Sequence, residues 1–337
     1  AAARKGCTAL VITLSLNSIG FMACNPNIGG TAKGTLAKEV DALGGIMGEI
    51  ADRATIQTRL LNRANGPAVH SLRAQVDKAK YHQMMKLRLE QEKLIALLEG
   101  EVTQLLVEEN RVKGIQTALG EQYFSPAVVM TTGVYLQSKV IIGEFSQDCG
   151  PQGFLRSERL SKNLKELGLS LRRFKTGTPP RVLAKTVDFS KMEAQSGEFG
   201  TPKFSMLSDY EVENSHKCYL TYTNAKTHKI ILDNLSRSPM YNGSIEGTGP
   251  RYCPSVEDKI VRFKDKERHQ IFIEPEGADT EELYVQGLST SMPYDVQQQM
   301  VNSVKGLENA TIVRYGYAIE YDCIDPQQLL PTLAVKG

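Results

Sequence analysis

The chain contains no tryptophan, and its six cysteines are scattered, with no C-x-x-C pair and no histidine at zinc-ligand spacing. A structural metal and a disulfide framework are therefore not expected. Neither is the close cysteine pair through which a disulfide reductase passes electrons from flavin to thiol. Long apolar runs are missing as well: residues 8–16 and 127–136 fall far short of the roughly 20 residues that span a bilayer. Ahead of the first of these, Arg4 and Lys5 lead straight into a β-like stretch without a signal-peptide h-region, so the protein reads as cytoplasmic. An excess of one charge sign is also absent. With 40 Lys and Arg against 38 Asp and Glu, the formal net charge is +2, and any contact with nucleic acid must come from a local patch.

The 337 residues suffice for two domains or for one large domain carrying an insertion. Residues 8–13 (TALVIT) fit a buried parallel strand, and residues 1–6 read as the last turn of a helix feeding it. In a βαβ dinucleotide unit the glycine fingerprint would precede that helix, so the chain is expected to begin inside the motif. Residues 25–30 (NPNIGG) form a turn-rich loop, and 31–43 predict a helix with Leu36, Val40 and Leu43 on one face, ended by Gly44 and Gly45. After a turn at 65–67, Leu72, Val76 and Ala79 mark a longer helix running through Met84 and Leu87. Three β-like runs at 101–107, 112–118 and 122–130 form a β-meander, and 127–133 (AVVMTTG) reads as an apolar strand stopping at Thr-Thr-Gly. From Lys175 to about Gly287 helical periodicity fades and a mixed, largely β insertion is expected. Pro293 then opens a helix to Lys305, and 311–321 is strand-rich.

Cys24 stands just before a helix opened by Gly29 and Gly30, where free N–H groups and the helix dipole can stabilise a thiolate or an anionic ligand edge. A buried structural cysteine is the competing reading. Cys253 lies in a loop, GTGPRYCP, whose glycines permit close approach to a ligand and whose Arg251 can clamp a phosphate; a tight turn with an incidental thiol is its alternative. The five histidines show no triad spacing, and Asp188, Glu274 and Glu276, beside turn residues, receive no role. Two basic runs stand out, Arg156 to Lys185 and Lys259 to Arg268, each of which a solvated face would also explain.

The stretches 24–30 (CNPNIGG), 38–45 (KEVDALGG), 175–181 (KTGTPPR), 247–259 (GTGPRYCPSVEDK), 269–277 (HQIFIEPEG) and 315–322 (YGYAIEYD) occur in order along nearly the whole chain. In them the sequence resembles the glucose-inhibited division protein A family, the flavoprotein half of a tRNA carboxymethylaminomethyl-uridine synthase. The resemblance implies an α/β fold: an FAD/NAD(P)-binding Rossmann-like domain of glutathione-reductase type over residues 1–174, an inserted mixed α/β domain over 175–288, and a return to the first domain over 289–337. It implies FAD, NAD(H) and methylene-tetrahydrofolate as cofactors, tRNA as substrate, a GTPase subunit as partner, and a homodimer. Carried over residue by residue, Cys24 and Cys253 are the catalytic candidates. Asn25, Gly29, Gly30, Val102 and Ser157 fall on flavin contacts, and Gly249, Pro250, Arg251, Tyr252, Pro254 and Ser255 on the nicotinamide segment. Arg251 and Lys259 fall on positions for tRNA. Relatives carry a glycine turn before the first strand and further sequence after the last, so weak FAD binding is expected of this chain. Folate-dependent tRNA uridine methyltransferases share the flavin architecture, but the PRYCPS and EPEG segments argue against them; a non-catalytic tRNA-binding remnant is the reading from a different class. Two spatial expectations follow. Cys24 and Cys253 should face one flavin pocket, and the run from Arg156 to Lys185 should join Arg251 and Lys259 in one positive surface.

Overall fold

The structure, a computed structural model, describes residues 1–249 and 254–336. Strand Ala9–Thr13 pairs in parallel with strand Ile95–Glu99, Ala9 opposite Ile95. Parallel pairing needs a crossover, and residues 14–94 supply it with helices α1 (Thr31–Ala42), α2 (Met47–Ala54) and α3 (Lys78–Glu90). Beside them lies a three-stranded antiparallel sheet in the order Asn27–Gly29, Ser71–Val76, Thr55–Leu61.

Two readings of this region are corrected. Residues 71–76 are a strand, and the helix begins only at Lys78, where the Asp77 carboxylate accepts from the Lys80 N–H at 2.9 Å. Leu72, Ala74 and Val76 all point into the core at period 2. The leucine-valine stripe of α1 faces outward, with Leu36 61% and Leu43 79% exposed. Its buried face is Gly34, Ala37 and Asp41. A Cβ on Gly34 would lie 3.2 Å from the Leu72 carbonyl, so close helix–sheet packing selects the small residues.

The meander is present as strands Val102–Glu108, Arg111–Thr117 and Gln122–Phe124. Helix α4 (Arg159–Glu166) packs on it through Leu160 and Leu164, which form a core with Leu136. Residues 127–133 do not form the expected strand: among the described residues no strand pairs with them, and Val129 is 84% exposed.

Strand Leu171–Thr178 runs antiparallel to Tyr317–Ile324, from Leu171 opposite Ile324 to Thr178 opposite Tyr317, within a four-stranded sheet. A six-stranded antiparallel sheet follows in the order Glu193–Gln195, Cys218–Tyr222, Gln270–Pro275, Glu282–Gln286, Arg181–Leu183, Ile312–Arg314. Its core joins Val182, Ile271, Ile273 and Val285 to Ile231 of α5 (Ala225–Asp233), Ile260 of α6 (Val256–Arg262), and Val296 and Met300 of α7 (Tyr294–Asn302). Among the described residues no helix is long and apolar enough to cross a membrane.

Candidate active site around Cys24

The Cys24 backbone is held by two cations from distant segments. Its carbonyl accepts from Lys78 Nζ at 3.0 Å and from Arg181 Nη2 at 2.8 Å. Lys78 opens α3. Arg181, 1% exposed, begins a strand after the two prolines of KTGTPPR, which carry the chain out of strand Leu171–Thr178. Both cations converge on one carboxylate oxygen, Glu276 Oε1, at 3.0 Å from Lys78 and 2.9 Å from Arg181. Arg181 also donates to Thr178 Oγ1 at 2.6 Å and to the Pro179 carbonyl at 2.9 Å. Its guanidinium carbon stands 4.9 Å from the centroid of the Tyr284 ring. The Cys24 thiol, half-buried, lies 3.2 Å from the Tyr284 hydroxyl and 3.6 Å from the Gly177 carbonyl.

A second buried cluster adjoins the first. Glu274, fully buried, is ion-paired with Arg73 and accepts from Asn27 Nδ2 at 2.8 Å, while Arg73 Nε donates to Asn27 Oδ1 at 2.9 Å. Gln75 donates to the Pro275 carbonyl at 2.7 Å, and the Asp77 carboxylate accepts from the Ala278 N–H at 2.8 Å. The EPEG segment is thus stitched along the strand that precedes α3. Burial lowers the pKa of Lys78, opposed by Glu276, and raises that of Glu274, opposed by Arg73. Burial, together with the neighbouring Cys24 sulfur, pushes the Tyr284 phenol well above its ordinary value.

The loop residues divide by role. Asn25 Oδ1 accepts from the Asn27 N–H at 3.2 Å and shapes the turn. Gly29 and Gly30 both have positive φ, 99° and 90°. A Cβ on Gly29 would meet the Leu72 carbonyl at 2.2 Å, whereas one on Gly30 would meet nothing within 4 Å. Gly29 therefore serves packing. Gly30 borders open space at the N-terminus of α1, where no side chain caps the helix. Val102 and Ser157 are brought to one region: Val102 packs on the Leu136 core, Ser157 bridges Leu136, and the Glu158 N–H donates to Glu101 at 3.0 Å. Ser157 is buried and its Oγ has no hydrogen-bond partner. An orphaned hydroxyl and an uncapped helix start both fit the polar groups of a dinucleotide.

Pro250, Arg251, Tyr252 and Cys253 lie outside the described residues. Their flanks are described. Thr248 bridges Phe174, and the Lys175 N–H donates to the Thr248 carbonyl at 3.1 Å, so Gly249 meets this strand two residues before Gly177. Pro254 is half-buried, Ser255 caps α6 by accepting from the Asp258 N–H at 3.2 Å, and Lys259 Nζ is 3.4 Å from the Gly287 carbonyl.

The run from Arg156 to Lys185 does not form one positive surface. Arg156 pairs with Asp148 at 2.7 Å, Arg172 with Asp325 at 2.7 Å, Arg173 with Asp322 at 3.3 Å and Arg159 with Glu101 at 3.5 Å, while Lys175 and Arg181 are buried. For Arg172 and Arg173 the cause is strand pairing: the antiparallel neighbour Tyr317–Ile324 and the residue after it carry their acids, Asp322 and Asp325. Among the described residues no cluster of His, Cys, Asp and Glu could hold a metal ion. Sequence reasoning did not assign Lys78, Arg181, Glu276 or Tyr284. Arg181 and Glu276 stood inside motifs already marked; Lys78 and Tyr284 carried no local signal.

The fold is thus α/β, with a parallel strand pair, a helical crossover, a meander and a large antiparallel sheet, and a glycine loop set over buried ion pairs. Residues 1–337 match the family described as Glucose inhibited division protein A. The chain belongs to that family. It is 57% identical over 337 residues to the tRNA uridine 5-carboxymethylaminomethyl modification enzyme MnmG of Clostridium botulinum (strain Loch Maree / Type A3), covering 100% of this chain and 54% of that protein. To the protein of the same name from Bacillus subtilis (strain 168) it is 54% identical over 336 residues, again covering 100% and 54%. Among solved structures, Aquifex aeolicus GidA matches with a TM-score of 0.94 at 47% identity, covering 100% of this chain and 57% of that one. The chain spans about half the length of the curated relatives it matches.

Proposed function

We propose that this chain carries the flavin-binding and catalytic core of a tRNA-modifying enzyme that builds a carboxymethylaminomethyl-type group at C5 of the wobble uridine. The observation that supports this best is the convergence of CNPNIGG, KTGTPPR and EPEG on the Cys24 backbone through Arg181, Lys78 and Glu276. FAD would be held at the N-terminus of α1 beside Gly30 and at Val102 and Ser157, and would supply electron transfer between the nicotinamide and the one-carbon unit. NAD(H) would use the segment from Gly249 through Ser255, and methylene-tetrahydrofolate is the one-carbon donor. Cys24 and Cys253 are the catalytic thiols. Arg251 and Lys259 contact tRNA phosphates, the GTPase subunit completes the reaction, and the protein acts in the cytoplasm as a homodimer. The three segments 1–174, 175–288 and 289–337 are the proposed domain division.

The test combines the protein with FAD, NADH, methylene-tetrahydrofolate, the GTPase subunit and tRNA, and reads the nucleosides by mass spectrometry. Modified uridine should accumulate, and Cys24→Ser should abolish it at unchanged melting temperature; full activity of Cys24→Ser would remove Cys24 from the reaction. Binding gives a separate reading. Lys259→Ala should lower the slope of log affinity for tRNA against log salt by about one, as expected for one lost phosphate contact.

A further inference from the structure

The Cys24 thiol has a single hydrogen and, among the described residues, two polar neighbours. The Gly177 carbonyl, 3.6 Å from Sγ, can only accept, so the S–H is directed there. The Tyr284 hydroxyl, 3.2 Å from Sγ, is then left to donate its own O–H to the sulfur. We infer that Tyr284 is the positioning residue of Cys24, a fixed phenol donor that orients the sulfur and favours its anionic form.

Three features make this donor a built one. Tyr284 is 4% exposed, on the strand Glu282–Gln286, where it stands opposite Glu274 and Arg181 in the two neighbouring strands. The Arg181 guanidinium over its ring is locked by four hydrogen bonds, one of them to the Cys24 carbonyl, so phenol and cysteine backbone share one anchor. Burial keeps the phenol protonated across the physiological range, so it retains its O–H to donate and does not serve as a base for the thiol. When the sulfur loses its proton, the contact to the Gly177 carbonyl turns repulsive while the phenol bond becomes charge-assisted. Among the described residues, Lys78 and Arg181, both partly neutralised by Glu276, and Tyr317 also act on the sulfur, and Glu274 acts on Tyr284.

What the anionic sulfur does in turnover rests on the function proposed above, but the test reads the thiol alone, so either can fail without the other. The rate of Cys24 alkylation by iodoacetamide, resolved by mass spectrometry of its peptide, is measured from about pH 6 to about pH 10 in the wild type and in Tyr284→Phe, which keeps the ring over Arg181. Tyr284→Phe should slow alkylation about tenfold near neutral pH and move the rate profile about one unit to the alkaline side, at a melting temperature close to wild type. A merely structural phenol would change the accessible rate at all pH values and leave the shape of the profile alone, and that result would overturn the inference. Should the variant fold poorly, protein grown with 3-fluorotyrosine provides the second reading. Its more acidic phenols are stronger donors, so the profile should move to the acid side; an unmoved profile again overturns the inference.

Discussion

Replacing Arg181 with methionine removes the cation at the centre of the site while keeping most of the aliphatic stem. The side chain donates to Glu276, Thr178, the Pro179 carbonyl and the Cys24 carbonyl, at 2.9, 2.6, 2.9 and 2.8 Å. Two of these acceptors keep another donor, because Lys78 Nζ stays 3.0 Å from both Glu276 Oε1 and the Cys24 carbonyl. The Thr178 hydroxyl can rotate to a new partner. One buried carbonyl is orphaned, and Glu276 is left with one cation instead of two. Breaking a buried ion pair costs about 3–5 kcal/mol and orphaning a buried acceptor about 1–3 kcal/mol, so sharing with Lys78 places the loss near the low end, about 3 kcal/mol. Lys78→Met takes a donor from the same two acceptors but orphans neither, and should cost about 1–2 kcal/mol. In the double variant Glu276 and the Cys24 carbonyl lose both donors, so the combined loss should exceed the sum by about 1–2 kcal/mol. Urea unfolding followed by circular dichroism reads this directly: with a slope of about 3 kcal/mol/M, Arg181→Met should lower the midpoint by about 1 M. A loss under about 1 kcal/mol, or strict additivity in the double variant, would refute the shared anchoring of Cys24 and Glu276.

Gly29→Ala and Gly30→Ala both place an alanine at positive φ, but only the first drives a methyl into the Leu72 carbonyl. Thermal unfolding should show a loss of about 1–2 kcal/mol for Gly30→Ala and at least about 2 kcal/mol more for Gly29→Ala; equal losses would contradict the packing argument. Asp52, buried in α2, accepts from the N–H groups of Phe204 and Ser205 at 2.8 and 3.0 Å and so moors the loop 196–213. Asp52→Ala should raise the rate of limited proteolysis within that loop about tenfold, and an unchanged cleavage rate would show the loop is held elsewhere. The rings of His228 and His269 lie 5.5 Å apart, tilted by 39°, and burial lowers the pKa of each. Their folded-state values lie below the ordinary 6.5, so the stability they carry is complete above about pH 6.5 and is lost as pH falls through the folded values. His228→Gln should flatten the decline of unfolding free energy between about pH 7 and pH 5, and an unaltered slope would place the titration in other groups.

Several elements could be read from local pattern because their physics is local. The strand Ala9–Thr13, helix α1, the meander and the helix after Pro293 each combine a hydrophobic period with a stop signal a few residues away. Cys24 was marked for the same reason: a cysteine before a glycine-opened helix is a short-range arrangement. Where two periods fitted one set of residues, the sequence was ambiguous. Leu72, Val76 and Ala79 satisfy the helical spacing, while Leu72, Ala74 and Val76 satisfy the strand spacing, and only pairing with strands Asn27–Gly29 and Thr55–Leu61 decided for the strand. The stripe of α1 was legible as a stripe, but which face is buried depended on how closely Gly34 lets the helix approach Leu72. The basic run was visible as a run, whereas the pairing of Arg172 and Arg173 depended on acids some 150 residues away, brought alongside by strand register. The environment of Cys24 was decided wholly in three dimensions. Lys78, Arg181, Glu276 and Tyr284 lie 54 to 260 residues from it in sequence, and a buried cation gains its meaning only from the carboxylate and carbonyl that the fold sets against it.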